Sequence, residues 1–355
     1  MSNYSIFDYK RIAILQTAFL GDVALTLPLA QTIKNFNTNA EIYFITTPKA
    51  APIARLASVI KEAIIFDKRS EHKGFAGIKN LAHKLEELNI DCILVPHRSL
   101  RSTLVAYYSK ANLSVGFNKC AFSFLYSIKI PYYFHQHETE RNLSLLKVFK
   151  EFKDISPAAL DEVELSISQY DQKYANELLN AKGILPENKL IAIAPGSVWE
   201  TKRWQESSFQ QLCSKLSIHG YKCIIIGSGE DAPICERIAQ NTGAVSLAGE
   251  CSIPQTISLL QRTQLLISND SAPVHFAGLA GCPVIAIFGP TSPMFGFGPK
   301  SKNSRILGNN ELSCRPCSIH GSRKCPIKTH ICMKSITADD AYNAALQILD
   351  LHHTN

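Results

Sequence analysis

Short apolar runs alternate with amphipathic stretches along almost the whole chain. In the first half, runs rich in Ile, Leu, Val and aromatic residues predict strands at 11–16, 41–46, 63–66, 92–95 and 114–116. Between them, apolar positions three and four apart predict helices at 22–35, 75–88 and 100–109. The second half repeats the alternation, with strands at 190–194, 222–226, 265–267 and 284–288. Its helices fall at 207–219, 232–241, 254–261 and directly after Asp270. A β-α alternation of this kind implies an α/β protein with parallel sheets and right-handed crossovers. The segment 150–189 is polar, carries one helical pattern at 170–182 and has no sheet-like run, so it reads as the joint between two doubly wound domains. We therefore expect domains at 1–165 and 166–335. A last amphipathic stretch, 337–351, predicts a helix capped by Thr337 with Asp340 at its third position. That segment, 336–355, is expected to pack back on the first domain.

The most informative stretch is 264–291, QLLISNDSAPVHFAGLAGCPVIAIFGPT. Its pattern is strand, helix, strand, and the polar cluster around Asp270 and Ser271 falls at the carboxyl end of the first strand. Open parallel sheets bind ligands at that edge, where helix N-termini present unpaired N–H groups. Asp270, Ser271 and the amides after them suit phosphate and sugar hydroxyls. The same residues also suit plain helix capping, which is how most residues of this type are used.

Composition narrows the class. At 355 residues the chain exceeds one ordinary domain, and 46 % hydrophobic residues suffice for a real core. No apolar run approaches the ~20 residues that cross a bilayer, and the first residues, MSNYSIFDYKR, lack the apolar region of a secretory signal. A cytoplasmic protein is expected. Residues 1–150 carry 19 Lys and Arg against 11 Asp and Glu, a net +8, while 151–355 carry −1. The first half is thus suited to an anionic partner, or simply well solvated. No nucleic-acid module accompanies the charge.

Seven of the eleven cysteines are scattered singly, several in apolar settings. The other four, Cys314, Cys317, Cys325 and Cys332, cluster as C-x2-C-x7-C-x6-C. In a reducing compartment this spacing suggests a structural zinc, with His320 or His330 as a substitute ligand, or else four packed, reduced thiols.

Three strand-to-helix turns carry candidate chemistry. The first, 16–23, contains only Gly21 before Asp22, so it fails as a dinucleotide fingerprint. Asp22 is either an N-cap or a general base at the sheet rim. There the helix dipole is expected to hold it ionised, at the expense of basicity. The second, Ala194-Pro-Gly-Ser-Val-Trp-Glu-Thr-Lys-Arg-Trp204, departs from a P-loop, because Thr201 replaces the second glycine and Arg203 the Ser/Thr. Ser197 and Lys202 remain placed for a diphosphate, with Lys202 offsetting charge on a leaving phosphate. The third, Gly227 to Ala232, fits G-x-G-x-x-A, and Glu250 stands near the distance for a ribose contact. Glu230 and Asp231, however, occupy the helix start and would repel a pyrophosphate. Glu230 better suits ribose hydroxyls or a base.

Taken together, ILQTAFLGDVALTLPL, HRSLRSTLVAYYSKANLSVGF, APGSVWETKRWQ and ISNDSAPVHFAGLAGCPVIAIFGPTSP resemble the ADP-heptose:lipopolysaccharide heptosyltransferases, glycosyltransferase family 9, and within it the subgroup that adds the second heptose. The C-x-P-C passage near Cys314 is similar to that subgroup as well. The resemblance runs over nearly the whole chain in order. It implies GT-B architecture, two Rossmann-like domains facing a cleft. It also implies an inverting transfer from ADP-L-glycero-β-D-manno-heptose to a Kdo-containing, lipid-linked inner core, with no metal required for catalysis. On matching positions it implies Asp22 as base, Lys202 and Ser197 at the phosphates, and a donor-site pattern at Asp270, Ser271, Ala272 and His275. Here Ser271 stands for the family's Thr and Ala272 for its Gly, and Glu230 corresponds loosely. An acceptor bearing carboxylates and phosphates suits the basic first half, with Lys49, Arg98, Arg101 and Arg141 as candidate anion contacts. A membrane-embedded acceptor implies peripheral attachment at the cytoplasmic face of the inner membrane, with no role for nucleic acid.

Two other classes remain open on the residues alone. An NAD-dependent oxidoreductase would rest on Gly227 to Ala232. A non-catalytic metal- or nucleic-acid-binding protein would rest on the cysteine cluster and the basic half. Neither accounts for Asp22 and Asp270 together.

Overall fold

A computed structural model of the chain describes residues 4–154, 156 and 163–351. The chain divides into two units, Met1–Ser166 and Ile167–Asn355. The first holds β1 (Arg11–Leu15), β2 (Glu41–Thr46), β3 (Ile60–Ile65), β4 (Cys92–Val95), β5 (Leu113–Phe117) and β6 (Ile128–Ile130). The second holds β7 (Lys189–Ala194), β8 (Tyr221–Ile225), β9 (Val245–Ser246), β10 (Leu265–Asn269), β11 (Val284–Ile287) and β12 (Arg305–Leu307). The sheet orders are β3-β2-β1-β4-β5-β6 and β12-β11-β10-β7-β8-β9. Every pairing between these strands is parallel. The second order is the first one repeated: its opening strand, β7, also lies central, beside β8 and β10. Each unit is therefore a Rossmann-like doubly wound sheet whose strand order reverses once, between β1 and β4 or between β7 and β10. These are the two components of the GT-B architecture expected above.

The central strands are apolar because helices cover both faces of a parallel sheet. Ile12, Ile14, Ile93 and Leu94 in the first unit, and Ile191, Ile193, Leu266 and Ile285 in the second, are fully buried. The outer strands β6, β9 and β12 have no counterpart in the apolar pattern. Each has only two or three residues, and β9 and β12 carry no fully buried position. An edge strand of that length buries too little for periodicity to register.

Two local expectations change. The helix expected over 22–35 is two helices, Leu20–Ala24 and Leu27–Phe36. Pro28 lacks an N–H and its ring clashes with the carbonyl four residues back, so the first helix stops at Ala24. Thr26 Oγ1 satisfies the freed Asp22 carbonyl at 2.7 Å. The C-terminal helix, Ala338–Leu351, is capped as expected: Thr337 Oγ1 donates to Asp340 Oδ2 at 2.7 Å and accepts from the Asp340 amide at 3.1 Å. Where the sequence sends 336–355 toward the first domain, the structure seats Ala341, Ala345, Ile348 and Leu349 in the second unit's core, with Phe209 and Leu216. The small and aliphatic stripe of this helix matches the apolar face of helix Glu206–Ile218, which is the nearer place to bury it.

Candidate active site

The chemistry expected of the second unit converges on its sheet's reversal point. Asn269 ends β10 fully buried, and its side chain joins the two central strands. Nδ2 donates to the Pro195 carbonyl at 2.7 Å, and Oδ1 accepts the Trp204 amide at 3.0 Å. The turn 195–204 after β7 is thereby fixed against the end of β10. Within it Arg203 Nε donates to the Ser197 carbonyl at 2.9 Å, so one of the two adjacent cations closes the turn. The other, Lys202, points to Asp270: Nζ lies 2.6 Å from Oδ2. Asp270 Oδ2 also accepts from Thr291 Oγ1 at 2.6 Å, and Asp270 and Thr291 are both buried. Ser271 precedes helix Ala272–Ala280 in extended conformation, with Ala272 at the first helical position and His275 buried one turn on. Pro273 has no N–H and the Val274 amide donates to the Ser271 carbonyl at 3.1 Å, which leaves the Ala272 amide at the helix start. The site is a cation beside a helix N-terminus, an arrangement suited to a diphosphate.

The competing nucleotide turn is closed. Asp231 Oδ2 accepts from the Ser228 amide at 3.0 Å and from Ser228 Oγ at 2.6 Å. Its carboxylate lies so close to Gly196 that a Cβ there would meet Oδ1 at 2.5 Å. Glu230 is exposed in the 3-10 turn Gly229–Asp231 after β8. Glu250 is engaged by Lys182 at 2.7 Å. A pyrophosphate at this helix start would meet a carboxylate, so the oxidoreductase reading loses its one motif.

The cysteine-rich loop contributes scaffolding that spacing did not reveal. Thr201 exchanges hydrogen bonds with Ser322, Oγ1 to carbonyl at 2.8 Å and amide to Oγ1 at 2.9 Å. His330 Nε2 bonds the Thr201 carbonyl at 2.8 Å. On the other side, Arg315 Nη2 donates to the carbonyls of Phe288 and Thr291 at 2.8 and 3.0 Å, and the Cys317 amide donates to Pro290 at 2.8 Å. One loop thus holds both the lysine turn and the Thr291 turn. Among the described residues no three His, Cys, Asp or Glu are grouped to hold a metal ion. Cys332 is buried in the core beside Met333, while Cys314, Cys317 and Cys325 are part-exposed. Burial, then neighbouring thiols, pushes the Cys317 and Cys332 thiols up.

In the first unit Asp22 lies in the short helix Leu20–Ala24 that follows β1, partly buried. Its expected ionisation is corrected by the structure. The helix that was to stabilise it has five residues, and the Phe19 amide, 3.1 Å from Oδ2, offers one hydrogen bond. Burial and the nearby Glu138 carboxylate outweigh that bond and the Arg141 charge, and push Asp22 up to about 7. A carboxylate there is a stronger base than an ordinary aspartate and is half-deprotonated near neutrality.

The candidate anion contacts separate. Arg141 is buried, its Nε donating to Glu138 Oε2 at 2.8 Å and its Nη1 to the Phe134 carbonyl at 2.8 Å. Arg98, after β4, stacks 3.9 Å from the Tyr132 ring centroid, and Arg141 lies 5.0 Å from the same ring. Arg101 is exposed on helix Leu100–Tyr108, and Lys49 is exposed after β2. Two groups at the β1/β4 reversal escaped the sequence reading. Lys68 donates to the Thr17 carbonyl at 2.9 Å, and burial lowers it to about 8, helped by Arg101. His97 Nδ1 lies 2.9 Å from Thr17 Oγ1, and burial with the Lys68 and Arg98 charges lowers it to about 4, so it is neutral at physiological pH. Their signal was positional: both follow strand ends that meet only once the sheet order is known.

Residues 78–328 match glycosyltransferase family 9 (heptosyltransferase). The lipooligosaccharide heptosyltransferase 2 of Campylobacter jejuni is 24% identical over 356 residues, covering 97% of this chain and 99% of its own. A crystal structure of a family 9 glycosyl transferase from Veillonella parvula superposes with a TM-score of 0.82 at 22% identity, covering 98% of this chain and 99% of that one. The structure of Escherichia coli ADP-heptose lps heptosyltransferase II gives 0.77 at 21%, covering 97% and 99%. These structures share the fold of both units.

Proposed function

The chain belongs to glycosyltransferase family 9, and we propose that it moves L-glycero-D-manno-heptose from ADP-heptose onto the Kdo-containing, lipid-linked inner core of lipopolysaccharide, with inversion. It is a glycosyltransferase. The observation that carries the reading is Lys202, 2.6 Å from Asp270 at the reversal point of the second sheet, beside the N-terminus of helix Ala272–Ala280. In this reading the donor diphosphate takes Lys202 from Asp270, with Ser197, Ser271 and the Ala272 amide as further donors. Asp270 and His275 then face the sugar, and Glu230 the nucleoside. Asp22 removes the proton of the acceptor hydroxyl. That oxygen bonds to the anomeric carbon as the bond to the β-phosphate oxygen breaks, and ADP leaves with the electron pair. Charge grows on the leaving diphosphate, where a preorganised cation and amides stabilise the transition state most. Displacement of this kind needs one base, unlike the paired carboxylates of glycoside hydrolysis.

Arg98, Arg101 and Lys49 are proposed for the acceptor's carboxylates and phosphates, while Arg141, tied to Glu138, positions rather than binds. None of the described helices is long and apolar enough to cross a membrane. A lipid-linked acceptor therefore calls for peripheral contact at the cytoplasmic face of the inner membrane. The test is incubation with ADP-heptose and either Kdo2-lipid A or its heptosyl derivative, read by mass spectrometry. The expected result is one added heptose; no mass gain on either acceptor would overturn the assignment.

A further inference from the structure

The first unit leaves large apolar side chains in water where folding gives them no partner core. Phe122 and Phe124 are 51% and 69% exposed, Tyr107 is 52% exposed and Phe75 50%. They are not scattered. Phe122 and Phe124 lie 5.5 Å apart in the turn around 3-10 helix Ser123–Leu125. That turn is held to helix Leu100–Tyr108 by Thr103, whose Oγ1 donates to the Ala121 carbonyl at 3.1 Å. Leu100 and Tyr107 flank Thr103 on the same helical stripe, three and four residues away, and both are exposed. Tyr107 meets Tyr108 at 5.1 Å, and Tyr108 meets Phe75 at 5.6 Å. One apolar path therefore runs from the start of helix Gly74–Glu87, across helix Leu100–Tyr108, to the 121–125 turn. Phe122 holds a left-handed backbone, φ 58°, which a bulky side chain adopts at a cost.

The charge around this path has one sign. Residues 92–137 contain no Asp or Glu and five Lys or Arg: Arg98, Arg101, Lys110, Lys119 and Lys129. All five are exposed, and among the described residues Lys110 alone of them pairs with a carboxylate, Glu86 at 2.7 Å. Lys79 stands over the Phe75 and Tyr108 rings at 5.2 and 5.8 Å.

We propose that this face docks on an anionic lipid bilayer, with Phe122, Phe124 and Tyr107 entering the interfacial region and Lys119 and Lys129 meeting headgroup phosphates. Aromatic rings favour the membrane interface, and a polybasic surface is drawn to anionic lipid, two weak signals that together give stable attachment. A second copy of the chain is a poor occupant, because a symmetric contact would set like charges against each other. The inference takes its motive from the lipid-linked acceptor proposed above, yet vesicle binding is independent of heptose transfer.

The test is co-sedimentation of the full chain with phosphatidylcholine vesicles, with and without phosphatidylglycerol, alongside the double variants Phe122→Ser/Phe124→Ser and Lys119→Glu/Lys129→Glu. Wild type is expected to bind only the anionic vesicles, and less as salt rises. The charge-reversed pair should bind at least about thirty-fold more weakly, and the phenylalanine pair should also lose binding with an unchanged melting temperature. Both variants should keep wild-type turnover on a deacylated, soluble acceptor while losing it on the acceptor in vesicles. Wild-type chain that ignores anionic vesicles, or variants that bind like wild type, would overturn the proposal. So would a phenylalanine-dependent dimer in gel filtration, or tighter binding to an oligonucleotide than to vesicles. Vesicle binding that behaves as expected without transfer to any acceptor would instead sink the proposed reaction and leave this surface standing.

Discussion

Asp22 is where two elementary effects compete at one atom group. A helix start favours the carboxylate, and burial beside Glu138 disfavours it; burial wins, and the group titrates at about 7. Proton removal should therefore follow an acid limb near pH 7 in kcat/KM. Asp22→Asn is expected to lose on the order of 10²–10⁴-fold in turnover while donor affinity stays near wild type; a variant with wild-type turnover would remove Asp22 from the chemistry. The same group bears on stability. Its pKa is raised from 3.8 to about 7 on folding, so the folded chain holds that proton more tightly. Its contribution is fully present below about pH 4 and is lost as pH rises toward 7. Asp22→Asn should accordingly melt higher than wild type at pH 8 and show no such gain at pH 4, which thermal melts at the two values would check. Glu138 contributes by repulsion. Glu138→Gln is expected to move the acid limb of kcat/KM down by roughly one pH unit. An acid limb that stays in place would mean that Glu138 matters only for holding Arg141. The sequence offered Asp22 as an N-cap or a base by its place after a strand, but its raised pKa rests on burial and on a residue 116 positions away, which no local pattern carries.

Among elements, the loop between β12 and helix Ile331–Lys334 shows how a segment without regular structure serves a site. Its composition suggested metal ligation or packed, reduced thiols. Its hydrogen bonds show that Thr201, Ser322, His330 and Arg315 fix two turns on either side of Lys202 and Asp270. Thr201→Val keeps the shape of the side chain and removes the reciprocal bonds to Ser322. The loss of about 1–2 kcal/mol of local order is expected to appear as roughly ten-fold weaker ADP binding by calorimetry, since Lys202 is the next residue. ADP affinity equal to wild type would show that the loop does not position the lysine. The helix that breaks at Pro28 illustrates the reverse case. There one residue type dictates an element boundary, and the apolar periodicity running through it does not register the break.

For the whole molecule, repetition of one strand order in two units assigns the chemistry by unit. The groups proposed for a nucleoside diphosphate follow β7, β8 and β10, and the proposed base follows β1. The fragment 167–355 is therefore expected to bind ADP when it folds, and Lys202→Ala in the full chain should weaken both ADP binding and turnover. A fragment that is folded by circular dichroism yet fails to bind ADP, while the full chain binds it, would show that the donor needs groups from both units.

Much of this was written in the chain itself. The alternation of apolar runs with amphipathic stretches determined a two-unit parallel α/β protein, because buried strands and crossover helices each impose their own period locally. The turn residues after those strands, Asp22, Ser197, Lys202 and Asp270, were legible for the same reason: a ligand edge lies at strand ends whatever the strand order. The tertiary structure alone decided which strand ends are neighbours. It brought Lys202 to Asp270 and Thr291, His97 and Lys68 to Thr17, and Glu138 to Asp22, pairs separated by tens of residues or more. It also closed the Gly227 turn with Asp231 and drew the C-terminal helix into the second core. Hydrogen bonds, desolvation and charge repulsion act over a few ångströms of space, and that proximity does not exist until the sheets are assembled.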